Sequence, residues 1–158
     1  MPTTTNDPFE RLGLPRRFSV NLSELERHYL ERSREAHPDF ANGDEDTAAA
    51  LNEAYATLKD PFRRAEHLLR LLGGPTAKDD KSLPPAFLME MLELREAIEA
   101  AKGSSTDAAR IEADLVGRTD ALAASLDGMF EADAPPASIR LELNCVRYLK
   151  GLLRDLQQ

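Results

Sequence analysis

From Pro8 onward, apolar residues return every three or four positions and seldom every second one. An α-helix turns once in 3.6 residues and a strand alternates in two, so this periodicity dictates helices and leaves little material for a sheet. Breakers set the boundaries. Asp7-Pro8 opens a short helix that closes at Gly13. Asn21 or Ser23 can cap a second helix, whose Leu25, Tyr29, Ser33 and Ala36 share one face. Pro38 ends it and drives the preceding residue out of the α region, which puts His37 at the boundary. A third helix follows Gly43-Asp44, carries Leu51, Ala54, Tyr55 and Leu58 on one side, and is interrupted at Asp60-Pro61. A fourth offers Phe62, Ala65, Leu68, Leu69 and Leu72 for burial before Gly73-Gly74-Pro75.

The stretch GGPTAKDDKSLPP, residues 73–85, combines breakers with charge and reads as an inter-domain linker. Beyond it the pattern predicts helices near 86–102, 106–130 and 137–156, parted by Gly103-Ser104-Ser105 and Asp133-Ala134-Pro135-Pro136. Such short connections force an antiparallel three-helix bundle. The expected fold is all-α, with a first domain over 1–72 and a bundle over 86–158.

Composition narrows the function. A formal net charge of −8 argues against binding a phosphate backbone, which needs clustered Lys and Arg. One cysteine, Cys145, allows neither an internal disulfide nor a paired-cysteine metal knuckle, and points to a reducing compartment. No apolar run is long enough to span a membrane, and the first residues lack the pattern of a secretory signal. A soluble cytoplasmic protein without membrane or nucleic-acid partners is expected.

The tripeptide His37-Pro38-Asp39 admits several readings. An imidazole near a carboxylate can act as a base, making a small helical hydrolase conceivable, yet there is no Gly-x-Ser-x-Gly elbow. Metal binding has little support, because His28 and His67 lie in other helices and no HExxH spacing occurs. A plain helix stop with an Asx-type turn is the simplest reading of the three residues alone.

Their context is more specific. DPFERLGLP precedes the tripeptide, and LNEAYATLKDPFRRAEHLL follows it. Across residues 7 to 72 this order resembles a J domain, the module through which J proteins engage DnaK-type chaperones. The resemblance implies that His37, Pro38 and Asp39 stimulate ATP hydrolysis on the partner, while the chain has no active site of its own. Pro38 would pre-set the backbone, reducing the entropy lost on docking. The second helix would supply the docking face through Arg27, Arg32 and Arg34; their alternative is a solvated face with pairs such as Arg27–Glu31. Many J domains are more basic in mid-helix, where this chain has Leu30 and Glu31, and carry lysine where Phe40 stands. A dedicated chaperone fits these departures.

LPPAFLMEMLELREAIEA, residues 83–100, is the other informative stretch. Phe87, Met91, Leu94 and Ile98 form one core stripe, yet Leu88, Met89 and Leu92 remain outside it beside Glu93 and Glu96. A bundle helix needs one apolar face. The remainder is either a broad core arc or a protein-binding surface. This segment resembles the bundle domain of HscB-type co-chaperones of iron–sulfur cluster assembly, and the resemblance then covers nearly the whole chain. It implies that Leu88, Met89, Leu92, Glu93 and Glu96, with Tyr148 of the last helix, bind an IscU-type cluster scaffold. The DnaK-type partner would be a specialised, HscA-like one, and the alternative is a J protein with another client. Cys145 lies on the stripe Cys145, Leu149, Leu152, Leu156, and one thiolate cannot hold a cluster that usually takes four. No cofactor or metal is expected, and the absence of an N-terminal zinc module points to a bacterial-type member.

Overall fold

A computed structural model describes residues 7–37, 39 and 43–158. Among these residues seven helices follow in order: α1 (Pro8–Arg11), α2 (Leu22–Ala36), α3 (Glu45–Lys59), α4 (Pro61–Leu71), α5 (Pro85–Ala100), α6 (Ser105–Glu131) and α7 (Pro136–Leu156). Among the described residues there is no strand. The chain divides into two compact units, 1–72 and 73–158.

Side-chain caps explain where the helices begin. The Asp7 carboxylate accepts the Phe9 N–H at 2.9 Å, and Pro8 occupies a first-turn position where no N–H is needed. Asn21, not Ser23, caps α2 by accepting from the Glu24 N–H at 3.1 Å. Asp60 ends α3 and caps α4, accepting from Phe62 and Arg63. Gly73 follows α4 at φ 81°, a backbone state that glycine adopts without Cβ strain.

In the first unit, α3 contacts α1, α2 and α4. Phe9, Leu12, Phe18, Leu25, Leu51, Leu58, Leu68 and Leu69 form its core. Arg64 is buried there as well, donating to the Leu58 carbonyl at 2.6 Å with its guanidinium over the Phe18 ring. Leu72, expected to be buried, is exposed, and Leu71 is the half-buried residue at that end. Leu72 is the C-cap and the last residue of the unit, its N–H still bonded to the Leu68 carbonyl at 3.0 Å, so the core ends before it although the helical path continues.

In the second unit, α6 and α7 form the main helix pair and α5 touches both. Met91, Ile98, Leu115, Leu149 and Leu152 make a core cluster, with Phe87, Leu94, Ile111, Leu122, Tyr148 and Leu156 packed around it. Residues 73–85 belong to this unit. The Asn144 amide on α7 donates to the carbonyls of Asp80 at 3.0 Å and Ser82 at 2.8 Å. Its oxygen accepts from Nε of the fully buried Arg140 at 2.9 Å. The segment composed like a linker is thus fastened to α7 just before α5 begins.

Candidate functional site

The first surface is the end of α2. His37 is the C-cap at φ −63° and ψ 138°, extended as a residue before proline must be. Pro38 itself lies outside the described residues. The Asp39 N–H donates to His37 Nδ1 at 3.2 Å, and the Asp39 carboxylate stands 3.4 Å from the same nitrogen. Accepting that N–H uses the lone pair of Nδ1, so the hydrogen bond holds with the ring in its Nε2–H tautomer. Both side chains are exposed, at 60% for His37 and 90% for Asp39. An open groove of about 600 Å³ in this unit is lined by Asp7, Arg16, Glu53, His67 and Arg70 among others, but by neither member of the pair. A hydrolytic site would need a nucleophile and a walled pocket around them.

Gly43 closes the base of the loop. A Cβ on it would stand 1.7 Å from the His37 carbonyl oxygen, and the Asp44 N–H donates to the Ala36 carbonyl at 3.0 Å. The end of α2 and the approach to α3 meet backbone to backbone here, so no side chain fits between them.

Along α2, Leu25 and Ala36 are buried, while Tyr29 stacks on Tyr55 of α3 with centroids 4.3 Å apart. Arg27, Leu30 and Arg34 are exposed on the other side. Arg27 lies 4.0 Å from Glu24 rather than pairing with Glu31. Arg32 behaves differently from its neighbours. Its guanidinium donates to the Arg11 carbonyl at 2.7 Å, so it braces α1. His28 does the same one turn earlier, with Nδ1–H donating to the Leu12 carbonyl.

The second surface is the outer side of α5. Met91 and Ile98 point into the core, whereas Leu88 is 41%, Leu92 55% and Met89 65% exposed. Glu93 and Glu96 are exposed on the same helix. Tyr148 of α7 is half-buried at the seam, with Phe87 edge-on at 6.0 Å and Arg95 5.3 Å above its ring. Leu88 and Leu92 lie seven and three residues before Arg95, on the same side of α5, so the Arg95 that covers Tyr148 stands beside the apolar patch. On the opposite flank Glu90 is tied to Arg118 of α6 at 2.8 Å. The role of Phe87 and Arg95 in fixing Tyr148 was not read from sequence. Arg95 as the lone cation of α5 was the available signal.

Among the described residues no group of His, Cys, Asp and Glu is placed to hold a metal ion, and no helix is long and apolar enough to cross a membrane. The sole thiol, Cys145, is buried.

A helical unit presenting a His–Asp loop, followed by a helical bundle with an exposed apolar helix, defines a J-domain protein with an appended bundle. Family comparison agrees: residues 7–67 match the DnaJ domain, and residues 83–157 match the HSCB C-terminal oligomerisation domain. The co-chaperone protein HscB of Proteus mirabilis is 38% identical over 123 residues, spanning 72% of this chain and 70% of that protein. Among solved structures, chaperone HscB from Vibrio cholerae superposes with a TM-score of 0.77 at 28% identity, covering 96% of this chain and 95% of that one. Human co-chaperone HscB superposes with a TM-score of 0.84 at 25% identity, covering 99% and 83%. The chain belongs to the HscB family of J-domain co-chaperones.

Proposed function

We propose that this co-chaperone stimulates the ATPase of a specialised, HscA-like DnaK-type chaperone and delivers to it an IscU-type iron–sulfur scaffold protein. His37, Pro38 and Asp39 act as the stimulating handle, with Arg27 and Arg34 of α2 beside it. Arg32 joins them on the docking face while its guanidinium also braces α1 through the Arg11 carbonyl. Leu88, Met89, Leu92, Glu93, Glu96 and Tyr148 grip the scaffold. The chain catalyses nothing itself and works in the cytoplasm. It carries no iron, in keeping with a single buried thiol.

The observation that carries this reading is the apolar side of α5. Three large hydrophobic side chains stay in solvent on a helix whose opposite face already fills the core. Such a patch, rimmed by carboxylates and bordered by an aromatic, has the anatomy of a protein interface. Holding client and chaperone on one chain raises their mutual effective concentration, so two weak contacts act together.

The test measures ATPase of a purified HscA-type chaperone with the protein, with an IscU-type scaffold, and with both. Synergy is expected. His37→Gln should abolish it while scaffold titration stays unchanged. Leu92→Ala and Met89→Ala should each weaken scaffold binding by ~1–3 kcal/mol. A His37→Gln variant that stimulates like the parent, or titration curves unmoved by Leu92→Ala, would sink the corresponding half of the proposal.

A further inference from the structure

Leu30 stands out on α2. It is 55% exposed in mid-helix, where a solvent-facing position is ordinarily polar. A single exposed leucine means little by itself. Its register gives it meaning. Arg27, Leu30, Arg34 and His37 follow one another at intervals of three, four and three residues, the spacing of one stripe along a helix. All four are exposed, and the stripe runs directly into the His37–Asp39 loop. Leu25 and Ala36 hold the opposite side of α2 in the core, so no rearrangement within the unit is needed to offer this one.

The two guanidiniums flanking Leu30 differ from it in how they attract a partner. Arg27 and Arg34 act over roughly a Debye length and lose strength as salt rises. Leu30 contributes only when apolar surface closes over it, and salt of that range does not screen apolar burial. A stripe of cation, apolar side chain and cation therefore favours a surface with an apolar spot between carboxylates. It discriminates against a uniformly acidic one, which would pair the arginines but leave Leu30 against desolvated charge.

We propose that Leu30 is a selectivity residue of the chaperone-docking face: it makes this co-chaperone prefer a DnaK-type chaperone whose docking surface has an apolar contact point flanked by carboxylates. The inference rests on the reading of His37 and Asp39 as the handle, and deepens it by naming the chemistry of the partner's surface.

The experiment titrates the full-length protein against a purified HscA-type chaperone and a purified general DnaK, reading the concentration for half-maximal ATPase stimulation. Leu30→Ala should raise that concentration about fivefold for the preferred chaperone, the order of effect of losing a partly buried leucine contact. The other chaperone should change little. The penalty should hold constant between about 50 and about 300 mM salt, while the penalty of Arg34→Gln shrinks over that range. Leu22→Ala removes a leucine of similar exposure that lies off the stripe, and should have no effect. Equal losses with both chaperones, an effect of Leu22→Ala as large as that of Leu30→Ala, or no effect of Leu30→Ala would each overturn the proposal. His37→Gln, run in parallel, separates the levels. If it still stimulates, the handle reading has failed; if it does not and Leu30→Ala is silent, only selectivity has failed.

Discussion

Burial governs what individual polar residues can do in this chain. Burial first, and then the Glu142 carboxylate, push the Cys145 thiol up to about 11, so almost none of it is thiolate at neutral pH. Iodoacetamide should leave it unmodified in the native protein and label it fully once guanidinium unfolds the bundle. Rapid native labelling detected by mass spectrometry would show that the residue is not held in the core. The placement of Cys145 was legible in sequence because it falls in register with Leu149 and Leu152. That of Arg32 was not. The sequence grouped it with Arg27 and Arg34 on the docking face, but a long side chain reaches back from its Cα, and the Arg11 carbonyl of α1 accepts its guanidinium there.

Helices were legible to the extent that their ends are chemical. Asp7-Pro8, Asn21, Asp60-Pro61, Ser104 and Pro136 are caps or first-turn residues, and each sits where its chemistry requires. Residues 73–85 were harder, because composition reports what a segment cannot form and not what holds it down. Its fastening comes from Asn144, and an Asn and Arg four apart on a core-facing stripe were the only hint. At the scale of elements, Asn144 is what fixes the approach to α5. Asn144→Ala removes two donations to carbonyls and one acceptance from Arg140, and should destabilise the second unit by about 2 kcal/mol. Amide exchange in urea should register that loss in α7. Limited proteolysis should open new sites between Thr76 and Ser82, and an unchanged digestion pattern would mean the segment is held by something else.

The molecule as a whole carries two cores, and they answer acid differently. In the first unit, burial and then the Arg70 and Arg63 charges hold the His67 pKa below 6.5, with Glu53 and Asp7 opposing. The unfolded chain therefore binds this proton more readily, and stability declines as pH falls from about 6.5 through the lower folded value. In the second unit, Asp79 and Asp80 are held below 3.8 by hydrogen bonds from the Thr76 and Ser82 segments. Their contribution is complete above 3.8 and fades only as pH drops through their lower folded values. Amide exchange followed down the pH scale should see the first unit soften before the second, and His67→Gln should remove the early phase. Simultaneous softening in the parent would contradict this account. The neck at Gly43 has a different kind of consequence. Because the Asp44 N–H bonds the Ala36 carbonyl and the Gly43 α-carbon lies hard against the His37 carbonyl, any side chain at position 43 must push apart the end of α2 and the start of α3, so the spacing of the handle is set by a residue outside it.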